Sequence, residues 1–343
     1  MKKSLARNHH FISQAEQRLN AIDSSVRPEN QRIYRFDILQ REPPSIRKSG
    51  STGVKIEKNL SRQDLYTLKI LDEGGQHNLE SAFQQYENDI PGMTRSLLNK
   101  LKDPKSIDFK KELLRLYALK LLNIIRNPYD MKRTLEMFRE LRGVLPGNKD
   151  LQSHFISLDS ASRPQVAQIC EELSVSEEEY IEWLKIIYLL ILQPLDQGLN
   201  LIEHLIKSVI DNDNIIKDFS IFRYDEPQSA GVLLCDRIID ERPKKGTQVQ
   251  MFNLDASAFM VVMLVDIKGQ DIIDLNPEYR DVDFKQGNVV RVNCEANNLT
   301  VLKTYNQHCV WLAHSNVYCA HETPYGVHIE TQTSERPSTN PGG

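Results

Sequence analysis

Residues 180–193 read YIEWLKIIYLLILQ, and apolar side chains occupy nearly every side of the helix that this run would form. Ser176 and Glu179 lie just before it at the spacing of a capping box, which marks the start of a helix. A helix that is hydrophobic all round is buried, whereas a surface helix is amphipathic. The run is shorter than the roughly 20 apolar residues that cross a bilayer, and it carries Lys185. The sequence therefore predicts a helix at the centre of a core and no membrane-spanning segment.

The residues upstream of this helix also repeat with helical periodicity. Apolar side chains in residues 79–101 follow one another at spacings of three and four, and Pro91 predicts a kink or a break among them. A second helix is predicted for residues 113–125, because the residue before Pro128 is driven out of helical geometry. A third is predicted for residues 131–142. Together these patterns indicate a helical body.

Beyond residue 218 the period of the apolar pattern changes to two, which is typical of strands. The short apolar runs that carry this pattern are residues 219–224, 231–239, 248–254 and 258–267. We expect them to form an antiparallel meander, followed by a helix at residues 288–305. Residues 27–41 alternate in the same way, so an N-terminal strand is expected to join the sheet. The predicted fold class is α+β, a helical body with an antiparallel β-sheet formed by the N-terminal strand and the C-terminal third.

Four regions are predicted along the chain. Residues 1–60 form a basic N-terminal segment that packs on the sheet, and residues 61–217 form the helical region. Residues 218–321 carry the antiparallel sheet plus one helix. Residues 322–343 are rich in Thr, Ser, Pro, Asn and Gly, so we expect a disordered tail.

Composition and charge limit the class of protein. The chain has 343 residues, of which 40% are hydrophobic and 26% charged, as in ordinary globular proteins. Its five cysteines are odd in number and widely spaced, which argues against a disulfide framework or a zinc knuckle and favours a reducing cytoplasm. The N-terminal residues lack the apolar region of a secretory signal. We therefore expect a cytoplasmic protein; its oligomeric state is not indicated.

The net charge of −4 hides an asymmetry between the first segment and the rest of the chain. Residues 1–60 contain 12 Lys/Arg and 6 Asp/Glu, which gives +6, and the remaining residues contain 31 and 41, which gives −10. Arg32 and Arg35 lie on the predicted N-terminal strand, where they are candidates for binding substrate phosphate. Nucleic acid is the partner that such a segment favours, although a basic segment can also be merely solvated.

The adjacent His9 and His10 are the first candidates for chemistry. A histidine with a pKa near 6.5 serves as acid or base at neutral pH, and two adjacent residues of an extended backbone point to opposite sides. Asp236 follows a buried strand, where a carboxylate is held rigidly and can orient a histidine. We predict a catalytic site made of His9, His10 and Asp236. The alternatives are that the histidines are satisfied in the core and that Asp236 only begins a turn.

Three further residues are predicted to support this site. Glu80 can join it from the helix at 79–101, but Glu87 lies two helical turns, roughly 10 Å, away, so the two cannot bind one ion. Asn297 and Asn298 fall inside the predicted helix at 288–305, where asparagine is costly and invites a hydrogen-bonding role. The histidines and cysteines of residues 294–321 match no zinc spacing, so no metal ligand is predicted. The cofactor is left open, with a divalent metal ion as one candidate.

Several short motifs are similar to those of one bacterial family. The chain resembles the family known only as domain of unknown function 4238, whose members open with His-His-Tyr/Phe-Val/Ile-Pro-Gln and a later Leu. The corresponding residues here are His9, His10, Phe11, Ile12, Ser13, Gln14 and Leu19, with Ser13 in place of the proline. Further similarities within residues 8–320 are Leu79, Glu80, Glu87, Asp236 at the end of GVLLCD, residues 251–254, Asn297 and Asn298. The resemblance implies relatives in bacterial and prophage genomes, some beside anti-phage systems, and so favours a toxic effector.

Two functions from different classes follow. The first is a toxic anti-phage effector with RNA or DNA phosphodiesterase activity, in which His9 or His10 moves a proton, Asp236 orients a histidine or a metal, and Arg32 and Arg35 hold phosphate. The second is a non-enzymatic sensor or protein-interaction module of a defence or toxin system. A polar cleft shared by the histidines and Asp236 favours the enzyme, and their use in core hydrogen bonds favours the second function.

Overall fold

The computed structural model describes residues 8–70, 75–103, 108–160, 163, 165–195, 198–225, 231–241, 246–266 and 290–330. The helices of this part of the chain are α1 (Gln14–Arg18), α2 (Glu80–Glu87), α3 (Ile90–Lys100), α4 (Lys110–Arg126), α5 (Met131–Met137), α6 (Lys149–Ser157), α7 (Val166–Leu173), α8 (Glu177–Leu192), α9 (Leu201–Ile210) and α10 (Leu299–Leu312). The strands are β1 (Asn8–His10), β2 (Arg32–Arg41), β3 (Pro44–Lys48), β4 (Val54–Lys55), β5 (Ser61–Gln63), β6 (Thr67–Ile70), β7 (Gly75–Asn78), β8 (Ile215–Arg223), β9 (Leu234–Cys235), β10 (Ile239–Glu241), β11 (Thr247–Asp255), β12 (Ala258–Asp266), β13 (Val290–Ala296), β14 (Asn316–Cys319) and β15 (His328–Ile329).

Helix α8 is buried along most of its length, as its apolar sequence predicts. The capping box is present, because Glu179 N donates to Ser176 Oγ at 3.0 Å and Ser176 N donates to Glu179 Oε2 at 2.8 Å. Trp183 is fully buried, and its indole N–H donates to the carbonyl of Ile125 in α4 at 2.8 Å. The central helix therefore fixes the C-terminal end of α4 as well as filling the core.

The breaks between the other helices also follow the sequence. The break predicted at Pro91 separates α2 from α3, and Pro91 lies in the first turn of α3, where its missing N–H is not needed. Helix α4 ends at Arg126 because Asn127 adopts an extended conformation before Pro128. Within residues 61–217 the strands β5–β7 come first and the helices begin at Glu80.

The strands form two main sheets. One has five strands in the order β10-β11-β12-β8-β13, in which β13 is parallel to β8 and the other neighbours are antiparallel. The other follows the order β15-β3-β2-β14-β9, with β4 also paired to β2. In it the N-terminal strand β2 pairs with β14 from the C-terminal third. The predicted α+β fold class is confirmed, with the C-terminal strands divided between two sheets.

The helix predicted at residues 288–305 is wrong in its first half. Residues 290–296 form the edge strand β13, and the helix there is α10, which begins at Leu299. Asn297 lies between them in the left-handed region, with φ of 61°, a conformation that asparagine tolerates better than most residues. Asn298 is the N-cap of α10, and its side chain accepts from Val301 N at 3.1 Å. The two asparagines therefore start the helix and do not interrupt it.

The tail is ordered further than its composition predicts. Residues 323–330 are described and contain β15, which pairs in parallel with β3. Tyr325, Val327 and Ile329 pack against the core beneath α10. This burial of apolar side chains explains why the segment is ordered although it is rich in polar residues. The expectation of disorder is wrong for residues 323–330, and residues 331–343 lie outside the described part of the chain.

Candidate anion-binding cleft

The N-terminal motif lies inside the protein. His9 is 0% exposed, its Nδ1 accepts the backbone N–H of Tyr66 at 2.8 Å, and its ring stacks on the Tyr66 ring with centroids 5.5 Å apart. Ser13, in the position of the family's proline, caps α1 by accepting from Glu16 N at 3.1 Å. The motif therefore anchors the N-terminal segment in the core.

His10 is also buried, with 5% of its surface exposed. Burial, together with the positive charge of Arg126, lowers the pKa of His10 from 6.5 to about 4. Hydrogen bonds with the backbone of Ile56 and Glu57 act in the opposite direction. The ring is therefore neutral at pH 7, and its Nε2 has no hydrogen-bond partner among the described residues.

The carboxylate of Asp236 accepts hydrogen bonds from the backbone of a loop that is distant in sequence. Asp236 is 2% exposed, and its carboxylate accepts the N–H groups of His314 at 2.7 Å, Ser315 at 2.8 Å and Asn316 at 3.0 Å. Burial raises the pKa of Asp236, while these three donors oppose that shift by stabilising the charged form. The carboxylate oxygens thus bond backbone N–H groups and not the ring of His9 or His10. The structure does not support the predicted hydrogen-bonded histidine–aspartate site.

A buried polar network holds the same N-terminal segment against α4. Glu16 and Lys120 form an ion pair with both side chains 3% exposed, and Asn123 Nδ2 donates to Glu16 Oε2 at 2.6 Å. Arg126, fully buried, donates from Nε to the Phe11 carbonyl at 3.2 Å and pairs with Glu87. Glu87 is therefore the partner of a buried arginine. Glu80 is the first residue of α2, and its side chain lies outside the described part of the structure.

The two asparagines predicted to support the site lie elsewhere. Asn297 Oδ1 accepts from Asp225 N at 3.0 Å and its Nδ2 donates to Asp225 Oδ2 at 3.0 Å, which ties β13 to the end of β8. Asn298 caps α10. Both residues shape the backbone, and neither lines the cleft described below.

Arg32 and Arg35 separate in the structure. Arg32 donates from Nη1 to the Gly53 carbonyl at 2.7 Å and to Thr52 Oγ1 at 3.2 Å, so its guanidinium ties down a neighbouring loop. Arg35 lies three residues further along β2, and side chains at odd separation on a strand point to opposite faces. Arg35 lines a cavity of about 350 Å³. Of the two predicted phosphate ligands, Arg35 lines this cavity and Arg32 does not.

This cavity, the anion cleft, lies where β2, β5, β14 and the end of α4 meet. Its wall is polar and is formed by Phe11, Arg35, Lys58, Asn59, Leu60, Ser61, Arg62, Tyr129, Glu172, Asp236, Asn316 and Tyr318. The Nε–H groups of Arg35 and Arg62 are both buried, and neither has a hydrogen-bond acceptor among the described residues. Arg18, Arg163 and Arg223 share this feature, but they do not line the cleft. Arg35 and Arg62 therefore border one cavity, and their Nε–H groups lie beneath its surface.

The carboxylates near Arg35 and Arg62 do not occupy all the N–H groups of the two guanidinium groups. Arg62 pairs with Glu172 at the rim, and its Cζ lies 5.5 Å from the centroid of the Tyr129 ring. Arg35 Nε is 3.8 Å from Asp37 Oδ1, which is an ion-pair distance but too long for a hydrogen bond. Lys58 is exposed at the same wall. Cationic donors therefore outnumber the accessible carboxylates in the cleft.

A larger groove of about 670 Å³ lies along α5 and α9. Its charged lining is mixed, with Arg133 and Arg139 beside Glu136 and Glu140. Arg133 pairs with Asp240, and Arg139 pairs with Glu136 at 3.5 Å. This groove therefore lacks the excess of cationic donors that distinguishes the smaller cleft.

His314 is the residue beside the cleft that the sequence pattern did not select. Its ring stacks on the Tyr129 ring with centroids 3.9 Å apart, and Asn316, two residues later, lines the cleft. Burial and the positive charges of Arg237, Arg62 and Arg41 lower the pKa of His314 from 6.5. Its only sequence signal is its place among the histidines and cysteines of residues 294–321, which match no zinc spacing. Its partner Tyr129 is 185 residues away, and no periodicity connects the two.

Metal and membrane features are limited in the described residues. No group of three or more His, Cys, Asp or Glu side chains there could hold a metal ion. None of the described helices is long and apolar enough to cross a membrane. All five cysteines lie in the described ranges as free thiols, Cys294 exposed and the others buried.

Comparison with known proteins gives no relative: no family model, curated protein or solved structure matches this chain. The resemblance of the N-terminal motif to the family of unknown function stays a prediction.

Proposed function

We propose that the anion cleft binds a phosphodiester of RNA or DNA between Arg35 and Arg62, and that the protein is a nucleic-acid phosphodiesterase. The observation that carries this proposal is the convergence of three cationic side chains, Arg35, Lys58 and Arg62, on the wall of one polar cavity. Arginine suits phosphate because its planar fork donates two parallel hydrogen bonds.

The origin of the cleft wall supports a nucleic-acid ligand. Arg35 and Lys58 belong to residues 1–60, the segment with a net charge of +6 in a chain that is acidic elsewhere, and Arg62 follows directly after it. Local concentration of positive charge in an otherwise acidic protein favours an anionic ligand at that place. The polar lining, which includes Asn59, Ser61 and Asn316, offers further partners for sugar and phosphate oxygens.

Binding of a fluorescein-labelled single-stranded RNA, measured by anisotropy over a range of salt concentrations, tests the proposal. Arg35→Gln and Arg62→Gln are expected to weaken binding about tenfold each, since a charge-assisted hydrogen bond contributes about 1.5–3 kcal/mol. Each should also reduce the slope of log K against log salt by roughly 0.7. Arg32→Gln is the matched control, because it removes one charge from the same strand outside the cleft.

The outcomes separate cleft binding from general attraction. Weakening by Arg35→Gln and Arg62→Gln with near-normal binding by Arg32→Gln supports the cleft. Equal weakening by all three variants indicates a diffuse electrostatic contact and contradicts the proposal, as does the absence of binding by the wild type. Single-stranded and duplex DNA of the same sequence, used in parallel, identify the preferred nucleic acid.

The role as a toxic anti-phage effector belongs to the same proposal and rests on the resemblance to the bacterial family. We expect expression of the wild type to slow growth of a bacterial host and expression of the Arg35→Gln/Arg62→Gln double variant to be tolerated. The Arg32→Gln variant should be as toxic as the wild type. Equal growth of all cultures at matched protein levels would contradict the proposed role as a toxic effector.

One observation favours the second candidate, a non-enzymatic nucleic-acid sensor. His9 and Asp236, two of the three residues predicted for catalysis, are used in hydrogen bonds to backbone N–H groups. A sensor would bind RNA in the cleft and release it unchanged. Denaturing gel electrophoresis of the bound oligonucleotide after incubation distinguishes the two, because only the enzyme shortens it.

A further inference from the structure

His314 occupies a position fixed by two charged side chains. Its backbone N–H is held by the buried carboxylate of Asp236, and its carbonyl accepts from Arg41 Nη2 at 3.1 Å. Arg41 also donates to the carbonyls of Val310 at 3.1 Å and Ala313 at 2.8 Å at the end of α10. The loop that carries His314 is therefore held from both sides of the residue, although its side chain is exposed.

The imidazole of His314 packs on Tyr129, which is part of the cleft wall, although His314 itself does not line the cavity. Its ring centroid is 3.9 Å from that of Tyr129, and Arg62 Cζ is 5.5 Å from the same Tyr129 centroid. The imidazole and the Arg62 guanidinium are thus at most 9.4 Å apart, the sum of those two distances. One nucleotide can span that separation. The side chain of His314 is exposed, so its imidazole is accessible to a ligand.

We propose that His314 is the general base of a metal-independent RNA cleavage reaction at the anion cleft, with the 2′-hydroxyl of the bound RNA as the nucleophile. This inference rests on the proposed binding of a phosphodiester by Arg35 and Arg62. His9 and His10 do not compete for the role, because both are buried in β1, the strand that pairs with β5.

The reaction needs no group beyond the protein, RNA and water. The imidazole takes the proton of the 2′-hydroxyl, the 2′ oxygen forms a bond to phosphorus, and the bond from phosphorus to the 5′ oxygen breaks. The 5′ oxygen takes a proton from water, and the imidazolium returns its proton to the resulting hydroxide. The products are a 2′,3′-cyclic phosphate and a 5′-hydroxyl end. Arg35 and Arg62 stabilise the charge that develops on the phosphoryl oxygens.

The charges around His314 keep it in the form that accepts a proton. The charged and titratable groups that face it from the surrounding elements are Arg41, Arg62, Tyr129, Asp130, Asp236 and Arg237. The carboxylate of Asp130 accepts a hydrogen bond from Arg237 Nε at 3.0 Å. The carboxylate of Asp236 accepts hydrogen bonds from backbone N–H groups. Both negative charges are therefore partly neutralised. A neutral imidazole at pH 7 is the protonation state that a general base requires.

Cleavage of a 5′-fluorescein RNA of mixed sequence tests the inference, with anisotropy binding of the same RNA measured alongside. His314→Gln is expected to lower kcat/KM at least 100-fold, within the range for loss of a general base, while RNA affinity changes less than twofold. His308→Gln is the matched control, because His308 lies on α10 and its Nδ1 is 2.9 Å from the Thr304 carbonyl of its own helix. The wild-type profile of kcat/KM should fall on acidification below pH 6.5, and the residual activity of His314→Gln should lack that fall.

The outcomes distinguish this inference from the function on which it rests. Cleavage that survives His314→Gln, or cleavage of DNA at the rate of RNA, overturns the role of His314 while binding stands. Binding by the wild type without any cleavage also overturns it and favours the sensor. Failure of the wild type to bind RNA overturns both. Melting curves of the His314→Gln and His308→Gln variants that match the wild type show that lost activity is not unfolding.

Discussion

The carboxylate of Asp236 accepts the backbone N–H of His314 at 2.7 Å, across 78 residues of sequence. An aspartate predicted to orient a histidine ring thus positions a histidine through its main chain. The same carboxylate accepts the N–H groups of the two residues that follow His314. It therefore acts as a buried cap for the loop that joins α10 to β14, and the loop brings His314 beside the anion cleft.

Removal of that cap is expected to destabilise the protein. Asp236→Ala leaves three backbone N–H groups without their acceptor, and we expect the free energy of unfolding to fall by about 2–5 kcal/mol. Urea denaturation followed by circular dichroism measures the change. Asp211→Ala, at an aspartate with 44% of its side chain exposed, should change stability by less than about 0.5 kcal/mol. A loss below about 1 kcal/mol for Asp236→Ala would show that water replaces the carboxylate.

The ion pair of Glu16 and Lys120 is expected to show strong coupling. Lys120→Met leaves a carboxylate buried with Asn123 as a remaining donor, so we expect a loss of about 3–5 kcal/mol. Glu16→Gln combined with Lys120→Met removes both charges and should recover part of that loss. A double-mutant cycle in urea measures the coupling energy. Additive effects of the two substitutions would contradict the pairing.

Much of the secondary structure could be predicted from the sequence because it depends on the local pattern of residues. The capping box at Ser176, the break at Pro91 and the end of α4 before Pro128 each depend on residues a few positions apart. The change to strands after residue 218 is likewise a change of local period. Asn297 and Asn298 show the limit of such patterns. The pair was assigned to the interior of a helix, whereas in the structure it precedes the first residue of α10, and the two residues alone do not distinguish these positions.

The roles of the polar side chains were harder to predict from the sequence because their hydrogen-bond partners are distant in the chain. His9 is satisfied by Tyr66, and Asp236 by a loop 78 residues later, so their burial follows from tertiary structure alone. The separation of Arg32 from Arg35 was, by contrast, available in the sequence: strand residues three apart point to opposite faces. Applying that alternation would have assigned the two arginines to different surfaces.

Acid should destabilise the protein through His10. Its pKa in the folded state is lowered to about 4, whereas in the unfolded chain it returns to about 6.5, so the unfolded state binds more protons between these values. Stability therefore falls as the pH decreases from 6.5 to 4, by up to about 3 kcal/mol from this residue, because each pKa unit is worth about 1.36 kcal/mol.

His10→Asn tests this dependence, since asparagine does not titrate. We expect the stability of His10→Asn, measured by urea denaturation at several pH values, to fall less steeply below pH 6.5 than that of the wild type. His204→Asn, at an exposed histidine of α9, should retain the wild-type slope. Parallel curves for all three proteins would show that the pKa of His10 is the same in the folded and unfolded states.

The segment after Glu322 is expected to stabilise the core beneath α10. Asn306 is fully buried, and its Nδ2 donates to the Tyr325 carbonyl at 2.9 Å and to the Gly231 carbonyl at 3.0 Å. Glu330 N donates to the Ile46 carbonyl at 2.9 Å, which secures the segment to β3. Ending the chain at Glu322 removes these contacts together with β15.

Comparison of a chain that ends at Glu322 with one that ends at Glu330 isolates the effect of residues 323–330. We expect the shorter chain to melt at least about 5 °C lower, since it loses sheet pairing, apolar packing and one partner of buried Asn306. Differential scanning calorimetry at matched concentration measures both midpoints. Equal midpoints would show that the pairing of β15 with β3 contributes nothing to stability. A lower midpoint for the shorter chain alone would show that residues 323–330 belong to the folded core, because both chains lack everything after Glu330.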